Sequence, residues 1–300
     1  MFFPSGVIPA LVTSFKKDKK INKEAIIENI KFQKKVGVKA ICLLGGTGEP
    51  MSLSSAERKE IMNFAVKASN KALDIIIGTL VGSPEEVAND IREAKKAGAQ
   101  ACLVCPPPFV CPSEKDVERY FQELSSIGMP LIIFNTPSRS GFLMESELIT
   151  KLALTLENIV GVKEASGNLL RVADLIENCP KPFSILQGVD SLYFLTLALG
   201  GNGGILAAAA VIPEVFIKIQ EFLEQRDIEK ARILQYKIIP FVNLMYEASH
   251  PAPLKIAMEI RGLPAGPTRP PFYGLSHDHY DRVKKTIKLL LKDLKNILID

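Results

Sequence analysis

Three pieces of one stretch decide the architecture: Asp74-Ile75-Ile76-Ile77, then Ser83-Pro84-Glu85-Glu86, then Ala101-Cys102-Leu103-Val104. The outer two are short, almost continuously apolar runs rich in branched side chains. A strand covered on both faces calls for such a run, and parallel sheets are covered on both faces. Between them Ser83 stands at a helix N-cap, with Pro84 at the first helical position, where its missing N–H leaves nothing unsatisfied. Strand, capped helix and strand within about thirty residues make one βαβ unit with a right-handed crossover.

The pattern repeats on both sides of this unit. Strand candidates are Val7–Thr13, Ala40–Leu44, Asp74–Ile77, Ala101–Val104, Leu131–Phe134, Ile159–Lys163, Phe183–Gln187 and Gly204–Ala207. Asn22-Lys23-Glu24-Ala25, Ser54-Ser55-Ala56-Glu57 and Ser113-Glu114-Lys115-Asp116 open further helices, and Ser54 with Glu57 spells a capping box. Eight such units over roughly 210 residues match a TIM barrel. An open doubly wound sheet would favour a Gly-x-Gly-x-x-Gly turn after an early strand, and Gly45-Gly46-Thr47-Gly48-Glu49 has no third glycine in register. Beyond Ala210 only helical stretches follow, at about 213–226, 228–247, 252–261 and 278–297, with a Pro/Gly-rich loop at 262–274. The reading is an α/β chain: a (β/α)8 TIM barrel carrying the active site over 1–225, and a helical C-terminal region over 226–300.

Composition narrows the partners. Apolar residues make up 47% and charged residues 23%, and the 37 basic and 33 acidic residues are spread along the chain for a net charge of +4. A nucleic-acid binder concentrates its basic residues, and the one run, Lys16-Lys17-Asp18-Lys19-Lys20, reads as a solvated loop. The cysteines Cys42, Cys102, Cys105, Cys111 and Cys179 are odd in number, and two sit in strand-like runs. They read as structural thiols, because no second pair or nearby histidine completes a metal site around Cys102 and Cys105. No run approaches the ~18 apolar residues of a membrane span. The apolar start at Met1-Phe2-Phe3-Pro4 is too short for a secretion signal, so a cytoplasmic location is expected.

In a TIM barrel the chemistry lies at the C-terminal strand ends. Lys163 ends Ile159-Val160-Gly161-Val162-Lys163-Glu164, and burial there would favour the neutral amine that attacks carbonyls. The alternative is a structural ion pair or a solvated strand end. Gly45-Gly46-Thr47-Gly48-Glu49 offers backbone N–H groups and a hydroxyl as an anion cradle, or is simply a tight turn. Arg139, in Asn135-Thr136-Pro137-Ser138-Arg139-Ser140-Gly141, is either a carboxylate clamp or a loop arginine.

Taken in order, Gly-Gly-Thr-Gly-Glu at 45–49, Asn-Thr-Pro-Ser-Arg-Ser-Gly at 135–141 and Gly-Val-Lys-Glu-Ala-Ser-Gly at 161–167 resemble the dihydrodipicolinate synthase / N-acetylneuraminate lyase family of class I pyruvate-dependent lyases. The resemblance runs from Gly6 to about Leu290. It includes Gly188-Val189-Asp190, Gly200-Gly201-Asn202-Gly203-Gly204-Ile205 and Pro251-Ala252-Pro253-Leu254-Lys255. It implies that Lys163 is the Schiff-base lysine and that Gly46 and Thr47 cradle the pyruvate carboxylate. Arg139 then binds substrate at the entrance, and Gly188 and Ile205 line the pyruvate pocket. It also implies a homo-oligomer, tetramer or dimer, working without metal or organic cofactor.

Against the family pattern, Phe134 stands where a proton-relaying tyrosine is usual, Phe109 where a neighbouring subunit lends a tyrosine, and Gly46 where a threonine is usual. Of the hydroxyls implied there, Thr47 remains. The expected function is a Schiff-base lyase, aldolase or dehydratase, acting on pyruvate or a related 2-oxo acid. Authentic dihydrodipicolinate synthase activity is the less expected version. One alternative is an impaired family member that binds 2-oxo acids in a regulatory role. Another is an unrelated barrel enzyme for phosphorylated substrates, for which Gly200–Gly204 is the one hint.

Overall fold

A computed structural model describes residues 2–110 and 112–297; Cys111 lies outside them. Eight parallel strands form one sheet: β1 (Gly6–Pro9), β2 (Ala40–Leu43), β3 (Asp74–Gly78), β4 (Ala101–Val104), β5 (Leu131–Asn135), β6 (Ile159–Glu164), β7 (Ser184–Gln187) and β8 (Gly203–Leu206). Hydrogen-bonded order runs from β1 through β8 back to β2. A parallel bridge between Ala10 and Cys42, with the Leu11 N–H donating to the Cys42 carbonyl at 2.9 Å, closes the ring. Each strand lies within a residue or a few of its sequence candidate, because short, branched apolar runs between helix signals suit strands covered on both faces.

The helices start where their caps stand. Ser54 and Glu57 form a reciprocal capping box, Ser113 and Asp116 form another, and Ser83 Oγ accepts from the Glu86 N–H at 3.1 Å. Two apolar layers result. On β5, Leu131 and Ile133 join the shell under the helices, whereas Ile132 and Phe134 join the plug inside the barrel, as the two-residue period of a strand dictates.

Gly203 opens β8 at φ 150°, where a Cβ would come within 2.2 Å of the Gly6 carbonyl oxygen. The glycine run 200–204 therefore lets β1 and β8 approach at the N-terminal rim. That corrects the hint of a phosphate site, which would need the opposite, C-terminal rim.

Beyond β8 the helices span Pro213–Glu224, Ile228–Tyr246, Ala252–Arg261 and His277–Ile297, as the periodicity predicts. This region folds back onto the barrel mouth. Lys255 Nζ lies 2.6 Å from Glu49 Oε1 and donates to the carbonyls of Thr13 and Pro267. The Arg269 N–H donates to Glu49 Oε2 at 2.9 Å. Cys42, Cys102 and Cys179 are buried free thiols and Cys105 is partly buried and free. Residues 16–20 are exposed, in keeping with a solvated loop.

Candidate active site

Lys163 and Phe134 are register partners across β5 and β6, one residue short of the C-terminal end of each strand. Lys163 is 9% exposed, and its Nζ stands 4.3 Å from the centre of the Phe134 ring. Among the described residues no carboxylate lies within ion-pair distance of it. Burial pushes its pKa down to about 8; Cys42 and then the buried Asp190 oppose that shift, and Arg139 adds to it. Gly188 makes room for the lysine, since a Cβ there would meet Lys163 Cε at 2.9 Å and Ala165 Cβ at 2.7 Å.

The turn after β2 supplies the facing wall. Residues Gly46–Gly48 form one 3-10 turn, whose first N–H groups have no partner within the turn. Thr13 Oγ1 donates to the Gly48 carbonyl at 2.6 Å and pins the turn to the segment that follows β1. A Cβ on Gly46 would touch Arg139 Nη1 at 3.5 Å, so the guanidinium lies over this glycine and any longer side chain at 46 would displace it.

The third wall comes from the C-terminal region, where the sequence offered no candidate. Thr47 Oγ1 lies 3.2 Å from Nε2 of His250. His250 stacks on Tyr246, ring centres 5.0 Å apart and planes 18° apart. The Tyr246 hydroxyl donates to Asp190 Oδ2 at 3.2 Å, and Asp190 Oδ1 accepts from the Ala208 N–H at 2.7 Å. Burial and then Arg139 hold His250 down to about 3, so its imidazole is neutral. Burial raises the pKa of Asp190, against the pull of the Ala208 N–H and Lys163. Burial and the neighbouring Asp190 keep the Tyr246 phenol protonated.

One cavity of about 260 Å3 gathers Gly46, Thr47, Phe134, Arg139, Lys163 and Gly188 with Tyr246 and His250. It shares Gly46, Phe134, Thr136 and Arg139 with an adjoining compartment of about 360 Å3, whose other walls include Met51, Leu80, Pro108 and Phe272. Ile205 is not among the lining residues: it is fully buried in the plug inside the barrel. Phe109 belongs to the loop after β4, 96% exposed at φ 75°.

The model of the dihydrodipicolinate synthetase family matches residues 3–290. The chain belongs to that family. It is similar to the 4-hydroxy-tetrahydrodipicolinate synthase of Methanopyrus kandleri, 36% identical over 287 residues that cover 95% of this chain and 96% of the relative. It is 34% identical to the enzyme of that name in Archaeoglobus fulgidus, over 95% of this chain and 98% of the relative. Among solved structures, dihydrodipicolinate synthase from Aquifex aeolicus superposes with a TM-score of 0.91 at 29% identity, covering 95% of this chain and 97% of that one. A prophage protein of the same family from E. coli, in complex with pyruvate, has a TM-score of 0.91 at 27% identity and covers 95% and 98%.

Arg139 occupies the space over residue 46, and a phenyl ring faces the amine from residue 134. Tyr246 and His250 bring polar groups to the same cavity, from the end of one helix and the turn after it. Their spacing of four residues, just ahead of Pro251-Ala252-Pro253-Leu254-Lys255, was the one signal of them in the sequence.

Proposed function

We propose that Lys163 forms a Schiff base with pyruvate or a related small 2-oxo acid and that the chain is a class I lyase of the aldolase or dehydratase type. The observation that carries this reading is the burial of the Lys163 amine, without an ion-pair partner among the described residues, at the C-terminal mouth of the barrel. A neutral amine is the nucleophile for a carbonyl. Lowering the pKa from 10.5 to about 8 raises the neutral fraction at pH 7 to about one part in ten, roughly a 300-fold gain. The Lys163 nitrogen bonds to the 2-carbon, the carbonyl electron pair moves to oxygen, and that oxygen leaves as water after taking up two protons. The substrate carboxylate fits against the Thr47 hydroxyl and the N–H groups of the 46–47 turn, with Arg139 supplying positive charge. The pyruvate complex of the E. coli relative and the synthase names of the archaeal relatives support the same chemistry. All the groups assigned to it are side chains and backbone amides, so the scheme needs neither metal nor organic cofactor.

The adjoining compartment is the place for the carbonyl partner. Met51, Leu80, Pro108 and Phe272 make it mainly apolar, with Arg139 at its junction with the lysine cavity. A second reading, binding without turnover, is favoured by the phenyl ring of Phe134 where a hydroxyl would serve proton transfer. One experiment separates the two. The protein is incubated with pyruvate and borohydride, the adduct is mapped by mass, and turnover is then assayed over a panel of 2-oxo acids and aldehydes. An adduct on Lys163 with turnover supports the lyase, and an adduct without turnover supports the binder. An adduct retained in Lys163→Ala refutes the assignment of the lysine.

A further inference from the structure

The C-terminal region brings the tyrosine Tyr246 and the imidazole of His250 to the lysine cavity, where Tyr246 meets the carboxylate of Asp190 just beyond β7, and the reaction above uses none of the three. Building a Schiff base needs a group that takes a proton from nitrogen and returns one to oxygen. Neither the phenyl ring of Phe134 nor Gly46 can do so. Thr47 has a hydroxyl, but it is engaged with His250 Nε2 at 3.2 Å. Tyr246 lines the same cavity, and its hydroxyl is aimed inward at a carboxylate with no exposed surface while 46% of the residue remains exposed. His250 fixes the ring plane by stacking.

From this geometry we infer that Tyr246, backed by Asp190, is the proton-transfer residue of the Lys163 reaction, supplied by the helical C-terminal region in place of a hydroxyl on β5. The inference rests on the Schiff-base reading above. Because the Tyr246 hydroxyl donates to Asp190, the lone pairs of its oxygen are left for the cavity. Once nitrogen has bonded to the 2-carbon it carries an extra proton and the former carbonyl oxygen a negative charge. The Tyr246 oxygen takes the proton from nitrogen as its own proton passes to Asp190. The reverse shuttle then delivers a proton to the substrate oxygen, leaving tyrosine and carboxylate as they began. A second proton, drawn from water at the exposed side of the ring, lets the C–O bond break and water depart. The nitrogen lone pair then forms the C=N bond. The burial that raises the pKa of Asp190 eases its turn as the temporary acceptor.

A structural role would be to tie the helix Ile228–Tyr246 to the barrel, and the test must tell the two roles apart. Tyr246→Phe keeps the ring and its stacking and removes only the oxygen. Pyruvate trapping on Lys163 is timed by mass in wild type, Tyr246→Phe, the double variant Tyr246→Phe/Phe134→Tyr, and a control, Tyr236→Phe, on the same helix. Thermal unfolding is recorded for each. The expected result is a loss in trapping rate of at least about a hundredfold in Tyr246→Phe. The double variant should recover most of that loss, because the ring at 134 already lies 4.3 Å from the amine. The control should match wild type. Trapping by Tyr246→Phe at the wild-type rate overturns the inference. So does a loss that the hydroxyl at 134 does not recover, which assigns Tyr246 to holding the helix. A wild-type protein that traps no 2-oxo acid on Lys163 fails the Schiff-base reading itself, and the inference with it.

Discussion

Burying the Lys163 amine should cost stability, and the cost has a defined pH window. Its pKa falls from 10.5 to about 8 on burial. Each unit corresponds to about 1.4 kcal/mol, so the folded state is penalised by roughly 3 kcal/mol wherever both states carry the charge. That holds below about pH 8. Between about 8 and 10.5 the unfolded chain binds the extra proton, so stability rises with pH, and above 10.5 the penalty is gone. Lys163→Met retains most of the volume and removes the charge. It should exceed wild type in stability by up to roughly 3 kcal/mol at pH 7, and the advantage should shrink as pH climbs toward 10.5. Urea unfolding of both proteins at several pH values measures this. The same shift predicts that the rate of pyruvate trapping rises about tenfold per pH unit below about 8 and then levels off. A Lys163→Met protein no more stable at neutral pH, together with a trapping rate still climbing steeply past pH 9, would refute the depressed amine.

Three further outcomes follow from contacts around the mouth. Gly188→Ala places a methyl 2.9 Å from Lys163 Cε and 2.7 Å from Ala165 Cβ, so the amine must move; trapping should slow by about a hundredfold, and stability should fall by roughly 1–3 kcal/mol in urea titrations. Gly46→Thr restores a side chain where Arg139 now lies, and should raise the pyruvate concentration needed for half-maximal trapping with little change in melting temperature. Lys255→Met leaves the carboxylate of Glu49, itself 2% exposed, without its ammonium partner; the loss should be about 3–5 kcal/mol by denaturant unfolding.

Much of this molecule is readable without coordinates. Short, branched apolar runs such as Leu131–Phe134 and Ile159–Lys163 suit strands covered on both faces, and caps such as Ser54 with Glu57 mark helix starts through contacts made within a few residues. Position alone left Lys163, Thr47 and Arg139 with structural alternatives; what singled them out was the order of their three motifs, which resembles one family, and the fold brings all three to one cavity at the barrel mouth. What folding alone decided is contact between distant segments. Thr47 meets His250 across 203 positions and Tyr246 meets Asp190 across 56, because the C-terminal helices return over the mouth and Lys255 pairs with Glu49 there. The family resemblance implied that Ile205 lines the pocket, whereas it is fully buried in the plug inside the barrel and is not among the lining residues. Periodicity reports which face of an element is buried. Which ends meet above the barrel depends on ring closure and on where the tail docks, and no local pattern encodes either.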